Sequence, residues 1–388
     1  DDDRKSTQQT LDAQLAEANK LAKEIGQLFK QGKQAEANEI KEKTKALKES
    51  GLVLKEEQVK IVNELQNLLY QLPNVPNEIV PAGKSEEDNE TIFEEGNIPE
   101  LFNGALPHWD LAKKYNLIDF ELGVKVTGAG FPFYKGKGAR LQRALISFFI
   151  DQAVENGYEE VIPPLMVNEA SGYGTGQLPD KEGQMYEMPV DKLFMIPTAE
   201  VPITNMYRDV ILKESDFPLK NVGYTPCFRR EAGSYGSDVR GLNRLHQFDK
   251  VEIVQIQHPK KSYETLNTMV EHVKNLLNQL ELPFRVLKLC GGDLGFTAAL
   301  TFDLEVYSAA QNKWLEVSSV SNFESFQANR LKCRYKDENG KTQLVHTLNG
   351  SALALPRILA ALLENHQTEE GIRIPKALVP YTGFDIIK

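Results

Sequence analysis

Along the N-terminal part of the chain, apolar residues return in alternating steps of four and three. Leu11, Leu15, Ala18, Ala22, Ile25 and Phe29 follow this spacing, which keeps one stripe of a helix turned toward a partner helix. Gln31-Gly32-Lys33 interrupts the stripe, and glycine there suits a turn. The spacing resumes through Ile40, Thr44, Leu47, Gly51, Leu54, Gln58, Ile61, Leu65 and Leu68. Two such segments around a short turn predict an antiparallel helical hairpin over residues 1–72. At about 1.5 Å per residue its first helix is roughly 40 Å long. Leu72-Pro73-Asn74-Val75-Pro76 ends it, because proline cannot continue the helical hydrogen-bond ladder.

The stretch from Pro81 to Glu95 is polar and acidic and reads as a linker or surface loop, so residues 73–105 are expected to connect two parts. From about Leu106 the pattern changes. Short β-branched and aromatic runs, Val222 to Phe228, Val251 to Ile256, Thr301 to Tyr307 and Trp314 to Val317, alternate with helical patterns and glycine turns. Several runs follow each other through short turns, which predicts an α+β domain over 106–388 built on a largely antiparallel sheet.

Composition adds bounds. The chain has 388 residues, 41% apolar and 26% charged, within the ordinary globular range. Its net charge of −10 argues against a surface basic all over for nucleic acid, although a local basic stripe is compatible with it. No apolar run reaches the roughly 20 residues of a membrane span. Cys227, Cys290 and Cys333 have no zinc or redox spacing and read as buried thiols of a reducing compartment. His108, His258, His272, His346 and His366 show no metal spacing either.

Three segments carry candidate chemistry. Phe228-Arg229-Arg230-Glu231 and His246-Gln247-Phe248-Asp249-Lys250-Val251-Glu252 flank a loop holding Gly233, Gly236, Asp238, Arg240, Gly241 and Arg244. Strand, charged glycine-rich loop and strand read as a hairpin, and on its first strand Arg229 and Glu231 share a face because the period is two. A ligand bearing a phosphate and an amino group would satisfy both; a surface salt-bridge ladder is the competing reading. Asn349-Gly350-Ser351 leads to Pro356-Arg357 at the start of an apolar helix, with Pro356 at its first position. An arginine at a helix N-terminus is disfavoured by the helix dipole unless an anion is shared; the alternative is a capped helix with an exposed arginine. Gly157-Tyr158-Glu159-Glu160-Val161-Ile162-Pro163-Pro164-Leu165 carries no chemistry and reads as scaffold or a dimer contact.

In their order along the chain, the Gly157 stretch, the Arg229 stretch and the Arg357 stretch resemble motifs 1, 2 and 3 of the class II aminoacyl-tRNA synthetases. The detail is similar to the seryl-tRNA synthetase family of the bacterial type. The similarity extends to Thr198-Ala199-Glu200-Val201-Pro202, Glu316-Val317-Ser318-Ser319, Ser321-Asn322-Phe323-Glu324 and Asn349-Gly350-Ser351, and to the helical hairpin, so it covers essentially the whole chain. It implies an antiparallel-sheet class II catalytic domain with an N-terminal coiled-coil arm for tRNA. Asp1 has no Met before it and opens within a helical pattern, so the first part of that family's N-terminal domain is expected upstream. Two positions depart from the family pattern: Pro356 replaces a glycine, and Val320 stands where many members have cysteine.

The implied reaction joins L-serine to the α-phosphate of ATP and passes the seryl group to the 3′ end of tRNA(Ser), by positioning and charge stabilisation. By the resemblance, Arg229, Arg357 and Glu316 carry the catalytic work. Arg229 bridges the serine carboxylate and the α-phosphate, Glu231 accepts from the adenine amino group, Phe248 stacks on the ring and Arg357 holds the γ-phosphate. Arg230, Leu245, Val317 and Ser318 complete the ATP contacts, and Glu316 and Ser319 hold Mg²⁺. Glu316 and Ser319 are three residues apart, which predicts a bend at Ser318. Thr198, Ala199, Glu200, Arg229, Glu252 and Ser351 form the serine pocket. His246 reads as structural rather than as a base. Lys30 and Lys33 near the arm's tip, with Lys41, Lys43, Lys45 and Lys48, are the expected grip on the tRNA, and Arg240 faces its acceptor end. A homodimer in the cytoplasm, without membrane contact and with tRNA(Sec) as a second candidate acceptor, completes the expectation. The competing readings are a paralogue that hands its activated amino acid to another acceptor, and a catalytically dead scaffold.

Overall fold

The computed structural model describes residues 1–181, 183–231 and 240–388; Gly233, Gly236 and Asp238 therefore lie outside the described residues. The chain divides into two compact units, Asp1–Leu72 and Pro73–Lys388.

The first unit is a helical hairpin, α1 (Asp2–Lys30) and α2 (Gln34–Tyr70). The turn sits at Gly32, whose φ of 74° suits glycine. In α2 the expected stripe from Ile40 to Leu65 is the sheltered face, whereas Leu68 is exposed. In α1 half of the expected stripe is wrong. Leu15 and Phe29 are 53% and 47% exposed, and the positions facing α2 are Leu11, Gln14, Ala18, Leu21, Ile25 and Leu28. Apolar residues stand at both 21 and 22 and at both 28 and 29, so spacing alone did not select between them. Glutamines occupy the seam by pairing across it. Gln14 Nε2 donates to Ser50 Oγ (3.3 Å), and Gln58 Nε2 donates to Gln8 Oε1 (2.8 Å).

The second unit is built on one eight-stranded sheet. The eight strands of this sheet and six of the unit's helices are, in chain order, β1 (Glu90–Glu95), α3 (His108–Lys114), α4 (Gly136–Glu155), β2 (Glu159–Glu160), α5 (Glu200–Asn205), β3 (Leu219–Phe228), β4 (Gln247–Gln257), α6 (Ser262–Gln279), β5 (Phe284–Lys288), β6 (Leu300–Ser308), β7 (Lys313–Glu324), α7 (Phe326–Leu331), β8 (His346–Ala354) and α8 (Leu355–Asn365). The strands lie in the order β1-β5-β6-β7-β8-β4-β3-β2, antiparallel except for the β2–β3 pair. The expected linker at residues 73–105 is thus corrected in part. It contributes β1, the edge strand paired with β5, and Asn74 Nδ2 donates to Thr297 O and Phe323 O, both at 2.9 Å. Polar composition suggested a loop, but an edge strand tolerates polar side chains because one side of it meets water.

Alternation along the strands separates two faces. Val251 and Ile253 of β4, Leu304 and Val306 of β6, Val320 of β7 and Leu348 of β8 are buried in one apolar cluster with Phe149 of α4, Met269 and Leu276 of α6 and Leu359 of α8. The residues of opposite parity on β4, Phe248, Lys250 and Glu252, line a cleft on the other face. Helices α4, α6 and α8 thus cover one side, whereas the other, which α5 and α7 approach, carries the polar groups. Val320 belongs to the helix side, where its methyls lie 3.2 Å from the place a Cβ on Gly350 would take.

Candidate active site

The cleft has a volume of about 780 Å³. Of the expected site residues, Thr198, Glu200, Arg229, Glu231, Leu245, Phe248, Glu252, Glu316, Val317, Ser318, Ser319, Ser351 and Arg357 line it, and Arg230 and Ala199 do not. Arg230 is exposed; Ala199 is buried at the N-cap of α5, where it serves the backbone that presents Glu200. His246 is also outside the lining. Its ring stacks on Phe131 (5.4 Å) and its Nδ1 meets the Tyr186 hydroxyl at 3.0 Å, in agreement with a structural role.

At one end is a small acidic pocket. Strand register sets Glu252 opposite Gly223 on one side and Ser351 on the other. Glu252 is fully buried and has three partners: Lys250 Nζ at 2.6 Å and the Thr198 hydroxyl at 3.3 Å, both on Oε2, and Asn349 Nδ2 at 3.0 Å on Oε1. Glu200 enters from the first turn of α5. Gln327 of α7 donates to its Oε1 at 2.6 Å, and the Thr347 hydroxyl in turn donates to Gln327 Oε1 at 2.7 Å. Burial first, and then the charge of Glu252, push the Glu200 carboxyl up to about 7. Lys250, Asn349 and Gln327 were not among the expected residues. Lys250 was the most legible of them, since it alternates with Phe248 and Glu252 on one strand.

In the middle stand Arg229 and Phe248. The Arg229 guanidinium carbon is 5.3 Å from the Phe248 ring centroid, and its Nε donates to Pro197 O at 3.3 Å. Contrary to expectation, Arg229 and Glu231 do not share a strand face, because β3 ends at Phe228 and Glu231 has a φ of 49°. Both nevertheless reach the cleft. The Glu231 amide donates to Gln184 Oε1 at 3.1 Å, and its carboxylate is ion-paired with Arg244.

At the far end, Arg357 Nη1 donates to Glu316 O at 2.8 Å and its Nε to Asn243 O at 3.0 Å. Helix α8 begins at Leu355, so Pro356 is its second residue rather than its first; neither position needs the amide hydrogen. The expected bend in β7 is a bulge. Glu316 pairs with Glu305 and Ser318 with Leu304, which leaves Val317 as the extra residue, one before the position anticipated. The bulge turns Glu316 and Ser319 into the same cleft and sets Ser319 opposite Asp303. Asp303 Oδ1 is buried without a hydrogen-bond partner, and burial together with Glu316 raises its carboxyl well above the usual range. A charged residue in the middle of the Thr301–Tyr307 run was the sequence signal for it. An orphaned carboxylate oxygen beside a carboxylate and a hydroxyl is a fitting set of hard oxygen donors for a divalent cation. No cluster of three or more His, Cys, Asp or Glu in metal-holding geometry occurs among the described residues.

The chain is 54% identical over 386 residues to a serine–tRNA ligase of Salinibacter ruber, covering 99% of this chain and 90% of that protein. It belongs to the seryl-tRNA synthetase family. Residues 1–76 match the seryl-tRNA synthetase N-terminal domain, and residues 186–366 match the tRNA synthetase class II core domain (G, H, P, S and T). The crystal structure of seryl-tRNA synthetase from Pyrococcus horikoshii complexed with ATP superposes with a TM-score of 0.89 at 35% identity, covering 100% of this chain and 91% of that one. The cytoplasmic enzyme of Naegleria fowleri in complex with AMP gives 0.84 at 27% identity, again over 100% and 91%. The fold is therefore the class II synthetase core with an N-terminal helical arm, and the chain is an ATP-using ligase of this family.

Proposed function

We infer that the chain is a serine–tRNA ligase whose two chemical steps share the cleft just described. The observation that carries this reading is the juxtaposition, in one cleft, of a small pocket with two buried carboxylates and an arginine-lined trough ending at Asp303, Glu316 and Ser319. A pocket with Glu200, Glu252, Thr198 and Ser351 suits an α-ammonium and a hydroxyl, which is the chemistry of L-serine. Because its polar groups are left unpaired by an analogue without the hydroxyl, such a pocket rejects alanine by on the order of 10⁴.

Arg229 stands between pocket and trough, where its forked donors bridge the serine carboxylate and the α-phosphate. Phe248 gives the adenine ring a stacking surface. Glu231 accepts from the adenine amino group once Arg244 releases it, and Leu245, Val317 and Ser318 frame the nucleotide. Arg357 reaches the γ-phosphate. A serine carboxylate oxygen attacks the α-phosphorus, the bond to the bridging oxygen breaks, and pyrophosphate leaves. A hydroxyl of the tRNA 3′-terminal ribose then attacks the seryl carbonyl carbon, the bond from that carbon to the phosphate oxygen breaks, and AMP departs with its phosphate taking up the hydroxyl proton. The first step needs no proton transfer by the protein; it needs the two reactants aligned and the developing charge met by arginines. Mg²⁺ held by Glu316, Ser319 and Asp303 would offset phosphate charge when bound.

The arm unit supplies the tRNA grip, with Lys30 and Lys33 beside its turn, which explains how a chain of net charge −10 serves an RNA. A homodimer is supported by β2, one of the two exposed edge strands of the sheet, followed by Ile162 at 89% exposure; sedimentation at micromolar concentration tests it, a monomer refuting it. The three cysteines are free and buried, and no helix among the described residues is long and apolar enough to cross a membrane; both fit work in the cytoplasm. ATP–pyrophosphate exchange, run with and without tRNA(Ser), tests the whole reading. Serine-stimulated exchange plus seryl transfer is expected. Exchange without transfer assigns another acceptor, and no serine-stimulated exchange refutes the reading. The same transfer assay with tRNA(Sec) tests the second acceptor.

A further inference from the structure

Behind the trough lies a buried polar network that the chemistry above does not use. His108, at the first position of α3, and Glu364, near the end of α8, are both fully buried. The Leu242 amide donates to His108 Nε2 at 2.9 Å. That nitrogen is therefore unprotonated, and the ring proton lies on Nδ1, which donates to Glu364 Oε1 at 2.7 Å. The His108 amide donates to the same oxygen at 2.9 Å, and the buried Ser308 hydroxyl donates to Glu364 Oε2. A second strut runs through Gln311. Its Nε2 donates to Glu364 Oε1 at 3.0 Å, and its Oε1 accepts from Asn243 Nδ2 at 2.8 Å. The fit around His108 is close, since a Cβ on Gly241 would lie 2.2 Å from Nε2.

These bonds close a circuit. Arg357 and Glu364 are seven residues apart on α8, so they lie on nearly the same face of it, two turns apart. Glu364 holds His108, His108 holds the Leu242 amide, and the next residue, Asn243, presents the carbonyl that accepts from Arg357 Nε. The helix that carries the arginine thus also carries the carboxylate that fixes the arginine's partner. We propose that His108 and Glu364 are positioning residues which set the Arg357 guanidinium for the β,γ end of the nucleotide, by anchoring the Leu242–Asn243 segment against α8. An arginine held by two carbonyls enters the reaction already oriented, and displacement by about 1 Å costs on the order of 10² in rate at such sites. This rests on the reading of Arg357 as a triphosphate contact.

The test is a double-mutant cycle of His108→Ala and Arg357→Ala in serine-dependent ATP–pyrophosphate exchange. We expect His108→Ala to raise KM for ATP about tenfold. KM for serine, and the Kd of a seryl-adenylate analogue lacking β- and γ-phosphates, stay within about twofold. In the Arg357→Ala background, His108→Ala adds little further. Multiplying effects, or equal rises in KM for ATP and serine, would overturn the proposal. An unchanged KM for ATP in Arg357→Ala alone would instead remove the reading of Arg357 and the proposal with it. Gln311→Ala cuts only the second strut, from a half-buried turn; where His108→Ala does not fold, the same ATP-selective rise, about threefold, is expected of it, and its absence is equally decisive.

Discussion

Glu200 and Glu252 line one buried pocket but are neutralised unequally: Glu252 has Lys250 at 2.6 Å, whereas Glu200 has the uncharged amide of Gln327. The pair therefore divides the work of holding a cation. Glu252 is already engaged by the Lys250 ammonium, and Glu200, pushed up to about 7 chiefly by burial, ionises fully when an ammonium arrives.

The first prediction is a pH dependence. With its carboxyl raised, Glu200 is protonated in the free protein below about 7. Its contribution to stability is full below the ordinary carboxylate range and is lost as pH rises through about 7. Serine binding runs the other way, because it needs the anion. Serine affinity should fall about tenfold from pH 8 to pH 6, with proton release on binding seen by calorimetry in buffers of different ionisation enthalpy. Glu200→Gln should bind weakly with a flat profile. A wild-type profile that is flat between pH 6 and 8 would refute this division of roles.

Lys250 should be essential to the fold as well as to the pocket. Lys250→Met strands the buried Glu252 carboxylate and should cost roughly 3–5 kcal/mol by denaturant titration. Adding Glu252→Gln should restore most of that loss without restoring serine binding. Additive destabilisation in the double variant would show that the pair is not the source of the effect.

Asp303 gives a prediction of opposite sign for stability and function. Its Oδ1 is buried and unpartnered, so Asp303→Asn should leave thermal stability in metal-free buffer unchanged or higher. The Mg²⁺ concentration for half-maximal pyrophosphate exchange should rise on the order of tenfold. A lower midpoint together with unchanged Mg²⁺ demand would mean that Asp303 is structural.

The arm should be separable from the chemistry. Replacing Lys30 and Lys33 with Ala should weaken tRNA charging and leave serine-dependent pyrophosphate exchange unchanged. Removing two phosphate contacts also lowers the salt slope of tRNA binding by roughly 1.5. Lys33 lies 3.3 Å from Glu36 on an exposed surface, a pair too weak for its loss to disturb the hairpin. Equal loss of both activities would sink the separation.

Much of this was legible in the residue order. The second-helix stripe from Ile40 to Leu65, the strands holding Val222 to Phe228 and Val251 to Ile256, and the cluster of Arg229, Glu252, Glu316 and Arg357 in one cleft follow from periodicity together with the family resemblance. Local reasoning failed where two choices were equal in sequence or where the backbone left its regular period. Leu15 and Phe29 lost the seam to Gln14 and Leu28. Glu231 lies beyond the strand that was meant to align it with Arg229, and the bulge in β7 falls at Val317.

By itself the sequence determined the kind of elements present, the family, and the residue types available to a nucleotide and a hydroxy amino acid. Those depend on local pattern and on the side chains themselves. Tertiary structure alone decided which groups meet. Lys250 pairs with Glu252 because both lie on one strand face, but Asn349 joins them only through the register of a neighbouring strand. Glu200 shifts because the sheet buries it beside another carboxylate, Asp303 meets Ser319 and the charge of Glu316 only through the bulged register of the adjacent strand, and His108 reaches Leu242 across 134 positions. Distances and desolvation are properties of packed segments far apart in the chain, and no local pattern carries them.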